Sequence, residues 1–238
     1  MLWLRNNKKF RHELKYLITE AEAVYIESLL KLVMVQDSHA VNGEYFIRSQ
    51  YFDDRNYSSY HDKNAGTNLR KKYRIRIYDN SDKVIKLECK EKNGQYIYKT
   101  SAGLNRHEYD SIIKGDYEFL KSRTEQVCKD MYIMLKCEGL KPVVLVDYNR
   151  KPYIYKHGDV RITFDRNVRG SFDFKDVFDT NASVHEVLPN PYLIMEVKFT
   201  EYLPAIISDL LCPYNSIYTQ ASKYVMCIDK DNELQGII

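Results

Sequence analysis

The chain has 238 residues, with 36 Lys and Arg set against 33 Asp and Glu for a formal net charge of +3. Such a balance excludes a globally basic surface coating nucleic acid or an anionic membrane. Its 44% apolar and 29% charged residues exclude a disordered segment, and nine Gly with six Pro exclude collagen-like or low-complexity classes.

The first element alternates, with Arg11, Glu13 and Lys15 on one face and Phe10, His12, Leu14 and Tyr16 on the other. Thr19 with Glu22 three residues on is a capping box. It predicts a helix of roughly four turns with Tyr25, Leu29, Leu32 and Val33 on its apolar face. Phe46 to Asp53 reads as a strand. Lys72 to Tyr78 alternates strictly, Lys72, Arg74 and Arg76 against Tyr73, Ile75 and Ile77. Val84 to Lys92 does the same, with Lys86, Glu88, Lys90 and Lys92 against Ile85, Leu87 and Cys89, and Asn93-Gly94 signals a turn into Tyr96 to Thr100.

Asn105 to Gly139 reads as helical, broken near Gly115. Strands return at Val143 to Arg150, Tyr153 to Tyr155, Val160 to Asp165 and Leu193 to Phe199. Leu203 to Leu211 and Tyr218 to Ile228 read as helices. Many antiparallel strands with helices between them imply an α+β fold on a large curved sheet or barrel. Without a long repeat or a Ser/Gly linker, one domain over 1–238 is expected.

Five cysteines (Cys89, Cys128, Cys137, Cys212 and Cys227), odd in number and never in CxxC spacing, argue against a disulfide framework or zinc site. Residues 1–10 are too short and polar for a signal peptide, and the longest core-like apolar stretch is Val143 to Val146, so a soluble, cytoplasmic chain is expected.

Alternation ordinarily means one apolar and one solvated face. Here the polar positions are almost all Arg and Lys, and Glu precedes Lys by two in three strands: Glu13 and Lys15, Glu88 and Lys90, Glu196 and Lys198. Residues i and i+2 share a face. Converging cations suit a polyphosphate, Arg as a bidentate fork and Lys as a point charge. Glutamates in that field suit Mg²⁺ or Mn²⁺. Phosphoryl transfer asks mainly for positioning and electrostatic stabilisation, so the lack of a Ser-His-Asp or Cys-His arrangement is no objection. No P-loop, GxGxxG or HExxH occurs.

Seven motifs then follow in order: Arg11-x-Glu13-x-Lys15, Tyr51-Phe52-Asp53, Lys72-x-Arg74-x-Arg76, Glu88-x-Lys90, Arg161-Ile162-Thr163-Phe164-Asp165, Glu196-Val197-Lys198 and Ser222-Lys223-Tyr224. Together they resemble the VTC domain, the polyphosphate polymerase branch of the triphosphate tunnel metalloenzymes, over about residues 8–228. The resemblance implies an antiparallel β-barrel forming a charge-lined tunnel. It also implies transfer of the γ-phosphate of ATP onto inorganic polyphosphate with a divalent metal, often Mn²⁺. Position by position it implies phosphate-binding roles for Lys15, Arg74, Arg76, Lys90, Lys99, Arg150, Arg161, Lys198, Ser222 and Lys223, with Arg74, Arg76, Lys90 and Glu196 as the catalytic set. Glu196 is implied as metal ligand, and Glu13 and Glu88 as acidic tunnel positions that either touch metal or brace a lysine. Gln220 stands near a position where some relatives carry a Lys.

Three rivals remain open at this point. A tunnel triphosphatase would use water as acceptor, and a non-catalytic polyphosphate-binding subunit would need no metal carboxylate. Single-stranded nucleic-acid binding is suggested by the basic and aromatic run 71–76, but Tyr73 and Arg74 face opposite ways in a strand, which separates a stacking platform from a phosphate track.

Overall fold

The computed structural model describes residues 12–38, 40, 42–94, 96–211, 217–219 and 221–237. Lys8, Lys9, Phe10, Arg11, Cys212 and Gln220 of the sequence reading lie outside them. Strand β1 (His12–Thr19) ends at the predicted capping box. The Glu22 amide donates to Thr19 Oγ1 at 3.3 Å and the Thr19 amide donates to Glu22 Oε2 at 2.6 Å. Helix α1 (Glu20–Leu30) follows, three turns rather than four. Its inward face is Ala23, Ile26, Glu27 and Leu30, while Tyr25 and Leu32 are exposed. The prediction missed this face because a buried charge sits on it. Glu27 meets Arg166, Lys151 and the Tyr153 hydroxyl beneath the helix, so the apolar period is interrupted where it counts.

Next come β2 (Val35–Gln36), β3 (Tyr45–Asp53), helix α2 (Ser58–Asn64), β4 (Leu69–Tyr78), β5 (Ser81–Asn93) and β6 (Tyr96–Leu104). The predicted helical middle is α3 (Arg106–Ile113), a 3₁₀ turn over Glu118–Ser122 and α4 (Gln126–Cys137). The two strands predicted on either side of Lys151 and Pro152 are one, β7 (Lys141–Tyr155). Proline is tolerated there because β3 pairs with β7 only as far as Arg150 and β2 only from Tyr153 on, so Pro152 falls in the gap between the two ladders. The chain then forms β8 (Val160–Ser171), β9 (His185–Glu186), β10 (Tyr192–Phe199), α5 (Ala205–Leu211), β11 (Ile217–Tyr218) and α6 (Lys223–Leu234). The last helix starts five residues later than predicted and runs on through 229–233, where Asp229 accepts from the Tyr60 hydroxyl at 2.6 Å.

All pairings are antiparallel, in the order β11-β1-β10-β8-β7-β3-β4-β5-β6, with β2 added on β7 and β9 on β8. Lys90 on β5 donates to Glu13 on β1 at 2.9 Å, so side chains tie together strands from opposite ends of that order. Two apolar cores cover one face of the sheet. Tyr73, Ile75, Ile77, Ile85 and Leu87 pack under α3 and α4, and Ile162, Phe164, Met195 and Val197 pack under α1 and α5. The other face carries the charged positions, and α6 lies on it through Tyr224, Val225 and Ile228 against Ile47, Val146 and Ile194. Gly170 on β8 permits this close approach, since a Cβ there would lie 3.1 Å from Cys227 Cβ and Sγ. No helix among the described residues is long and apolar enough to cross a membrane.

Candidate active site

Period-two alternation places Arg70, Lys72, Arg74 and Arg76 on the charged face of β4, because burial of Tyr73, Ile75 and Ile77 under α3 and α4 fixes the opposite face. The register with β5 sets Glu88 directly across from Arg74. Arg74 donates to Glu88 Oε2 (2.8 Å) and to the Tyr51 hydroxyl (2.7 Å), and Lys99 donates to Glu88 Oε1 (2.9 Å). Arg76 donates to Ser49 Oγ (3.0 Å) and to the Tyr148 hydroxyl (3.0 Å). The guanidiniums are thus aimed by groups behind them.

Across the cavity, β1 and β10 align Lys15 with Glu196 and Glu13 with Lys198. Glu196 gathers four cations: Lys198 at 2.8 Å, Lys223 at 3.3 Å, Arg150 at 3.3 Å and Lys15 at 3.8 Å. Asp165 holds Arg150 bidentately, both contacts at 2.6 Å, and takes Lys223 at 2.6 Å. Lys15 also donates to the Ala221 carbonyl at 2.9 Å, and α6 delivers Ser222 and Lys223 from its first turn.

These groups enclose a cavity of about 220 Å³. Of the predicted residues, Glu13, Lys15, Arg74, Arg76 and Lys90 line it from one half of the chain, and Arg150, Glu196, Lys198, Ser222 and Lys223 from the other. Three do not. Glu88 is 2% exposed behind Arg74, and Lys99 stands half exposed beyond it. Arg161 turns instead to Asp37 (2.9 Å) and the Tyr45 hydroxyl (2.7 Å). Sequence reasoning left unassigned Lys63, Arg70, Lys72 and Lys92, which also line the cavity, together with Tyr51 and Tyr148. Parity with Arg74 and Lys90 marks Arg70, Lys72 and Lys92, and parity with Arg161 marks Asp165; Lys63, on the short α2, carries no such signal.

Charge governs the protonation states. Burial alone would raise the Glu13 carboxyl, but Lys90, Lys198 and Lys15 outweigh it and hold it far below the usual carboxylate range. Burial is likewise overridden at Glu88 by Arg74, Arg76 and Lys99, and at Glu196 by Lys198, Lys223, Lys15 and Arg150. Burial pushes Lys72 down to about 7, aided by Lys15, Lys63 and Lys90. It pushes Lys90 down to about 8 against the pull of Glu13. At Tyr148, burial is outweighed by Arg150, Arg76 and Lys223, which lower the phenol.

A divalent cation fits part of the acidic set. Glu13 and Glu196 are ionised, face one cavity and both reach Lys15, at 3.4 and 3.8 Å. One or two carboxylates completed by substrate phosphate oxygens is how Mg²⁺ is usually held. Glu88 fits less well, since it is buried behind Arg74 and does not line the cavity.

The family model described as VTC domain matches residues 10–230. Among solved structures, the chain is similar to a proposed adenylyl cyclase from Hippeastrum with a dominant triphosphatase activity. The identity is 11% and the TM-score 0.56, over 93% of this chain and 95% of that one. It is also similar to a proposed adenylate cyclase from Vibrio parahaemolyticus, at 10% identity and a TM-score of 0.51, over 92% of this chain and 98% of that one. At these identities the likeness concerns the fold, the antiparallel tunnel barrel with flanking helices expected from the sequence. No curated protein matches the chain.

Proposed function

The chain belongs to the VTC domain family, and from that premise we propose that it is a polyphosphate polymerase, a single-domain, metal-dependent phosphotransferase. ATP and inorganic polyphosphate are its substrates. A terminal oxygen of the acceptor chain attacks the γ-phosphorus, the bond from that phosphorus to the β,γ-bridging oxygen breaks, and ADP leaves with that oxygen. Arg74, Arg76 and Lys90 hold phosphate oxygens on one side of the cavity, and Lys15, Arg150, Lys198, Ser222 and Lys223 on the other. Glu196, with Glu13, holds Mn²⁺ or Mg²⁺, which supplies neutralisation of phosphate charge when bound. Lys99 acts indirectly, through Glu88. Arg161 belongs to a neighbouring ion pair rather than to the substrate.

The observation that carries this reading is the enclosure of Glu13 and Glu196 among converging cations in one cavity. Cations alone would serve an anion-binding subunit; two ionised carboxylates among them are costly for that purpose and useful for a metal-bridged phosphate. Hydrolysis is the second reading, favoured by the triphosphatase activity of the Hippeastrum protein. Purified protein given ATP and Mn²⁺ should build a ladder on a polyphosphate-stained gel. Release of phosphate without a ladder would make it a triphosphatase, and ATP binding with neither product an accessory protein.

A further inference from the structure

Helix α1 is apolar on both of its sides. Its buried side packs with Ile162, Phe164, Met195 and Val197. Yet every exposed residue within the helix, Ala21, Val24, Tyr25 and Ser28, is uncharged. The solvent side of a surface helix is ordinarily where its charges stand. The three glutamates of α1 are used elsewhere: Glu20 pairs with Arg166 at 2.8 Å, Glu22 caps the helix and Glu27 lies buried beneath it. The last turn prolongs the bare side, since the amides of Lys31, Leu32 and Val33 bond back to the carbonyls of Glu27, Leu29 and Leu30. Val24, Tyr25, Leu32 and Val35 are each more than half exposed, Leu32 by 78%. Helix α5 packs beside α1 and leaves Ile206 exposed as well. Single exposed apolar residues are ordinary, but a stripe of them marks a contact surface.

The spacing of the stripe says what fits it. Ala21, Tyr25, Ser28 and Leu32 recur at intervals of four, three and four, the seam by which one helix packs along another. That seam is matched to itself about Ser28. Val24 and Leu32 stand four residues to either side, so an antiparallel second copy crossing at Ser28 sets Val24 against its Leu32 and Leu32 against its Val24. Ser28 is small enough for a close crossing, and its hydroxyl already donates to the Tyr25 carbonyl at 2.6 Å, so no unmet donor enters the contact. Charge agrees with this direction. Glu20 and Lys31 are eleven residues, about three turns, apart and share one flank of the helix. Reversal carries the exposed Lys31 of each copy toward the acidic first turn of the other and opposes the two helix dipoles.

We infer that the outer side of α1 is a docking surface for a second copy of this chain, packed antiparallel about a two-fold axis at Ser28. The polyphosphate reading is not needed for it. Helix α1 covers the apolar face of β8 and β10, while Glu196 and Lys198 reach the cavity from the opposite face. The contact therefore draws on no residue of the cavity.

Sedimentation velocity of the full chain from about 1 to 100 µM should show a reversible equilibrium between monomer and dimer. Leu32→Glu places a charge from each copy in the contact and should weaken dimerisation about tenfold or more. Its far-ultraviolet circular dichroism and its binding of tripolyphosphate should stay as in wild type. Crosslinking reads the geometry. Under mild oxidation Ser28→Cys should link to its own copy well beyond the wild-type background, because the two positions meet at the axis. Val24→Cys, about 12 Å from its own copy along the helix, should not link alone but should link when mixed with Leu32→Cys. A wild type that stays monomeric throughout would overturn the proposal. So would a dimer that survives Leu32→Glu undiminished, or one that links at Val24 as readily as at Ser28. A monomer that binds phosphatidylcholine vesicles, and no longer does so as Leu32→Glu, would give the face to a lipid surface instead.

Discussion

Glu196 is 5% exposed, with four cations in reach of its carboxylate. Replacing it with Gln removes a negative charge from the cavity and, under the proposed function, a ligand from the metal. Metal-dependent turnover should fall at least about a hundredfold while metal-free polyphosphate binding holds or tightens. Unchanged turnover in a stopped assay would take Glu196 out of the metal site. Glu88 works differently although it shares the alternation. Its carboxylate is spent on Arg74 and Lys99, so Glu88→Gln should cost about 3–5 kcal/mol in denaturant unfolding, as for one partner lost from a buried pair. The sign with pH follows from its depressed protonation. The stabilisation is full above the ordinary carboxylate range and is lost as pH falls through the folded-state value, so the gap between wild type and variant should close in acid. Face was legible in the sequence for both residues; depth was not. Period two says which side of a strand a residue takes, and only the neighbouring side chains decide whether it meets the cavity, as for Glu196, or lies behind Arg74, as for Glu88. Arg161 shows the same limit, since its partners Asp37 and Tyr45 come from parts of the chain more than 100 residues away.

Local chemistry made several elements readable. The Thr19 capping box starts α1 where predicted, and β4 and β5 keep the faces their alternation demands. Two elements were misread for tertiary reasons. The inward face of α1 includes Glu27, whose charge is tolerated only because Arg166, Lys151 and Tyr153 lie beneath it. The continuity of β7 through Pro152 depends on where β3 stops pairing. The seating of α6 was equally hidden, because Gly170 on β8 has no local reason to be small. Gly170→Val should destabilise the protein by about 1–3 kcal/mol through overpacking against Cys227 and Phe172, read as a lower thermal midpoint. Because α6 also delivers Ser222 and Lys223, the variant should bind tripolyphosphate more weakly even where it remains folded; full affinity would show that the helix tolerates the shift.

At the scale of the molecule, a net charge of +3 conceals a separation. Eleven Lys and Arg and two Glu line the cavity, nine net formal charges, so the remainder of the chain carries about −6. Most of that balance sits on buried acids, Glu27, Asp37, Asp53, Glu88, Asp147 and Asp165, so the unbalanced field is that of the positive lumen, which focuses polyanions on the opening. Raising salt should therefore slow association of polyphosphate far more than it speeds dissociation from the enclosed site, which stopped-flow measurements at two ionic strengths would separate. An equal effect on both rates would mean that the binding charges are exposed.

The ring of cations around Glu196 also decides what leaves the site empty. A chloride or acetate ion brings one charge, no more than the carboxylate it would have to replace, and it has no covalent tether holding it near. An anion with several charges on adjacent oxygens engages Lys15, Lys198, Arg150 and Lys223 together and can displace the carboxylate from them. Around Glu196 the cavity thus favours anions of several charges over the monovalent ions of ordinary salts.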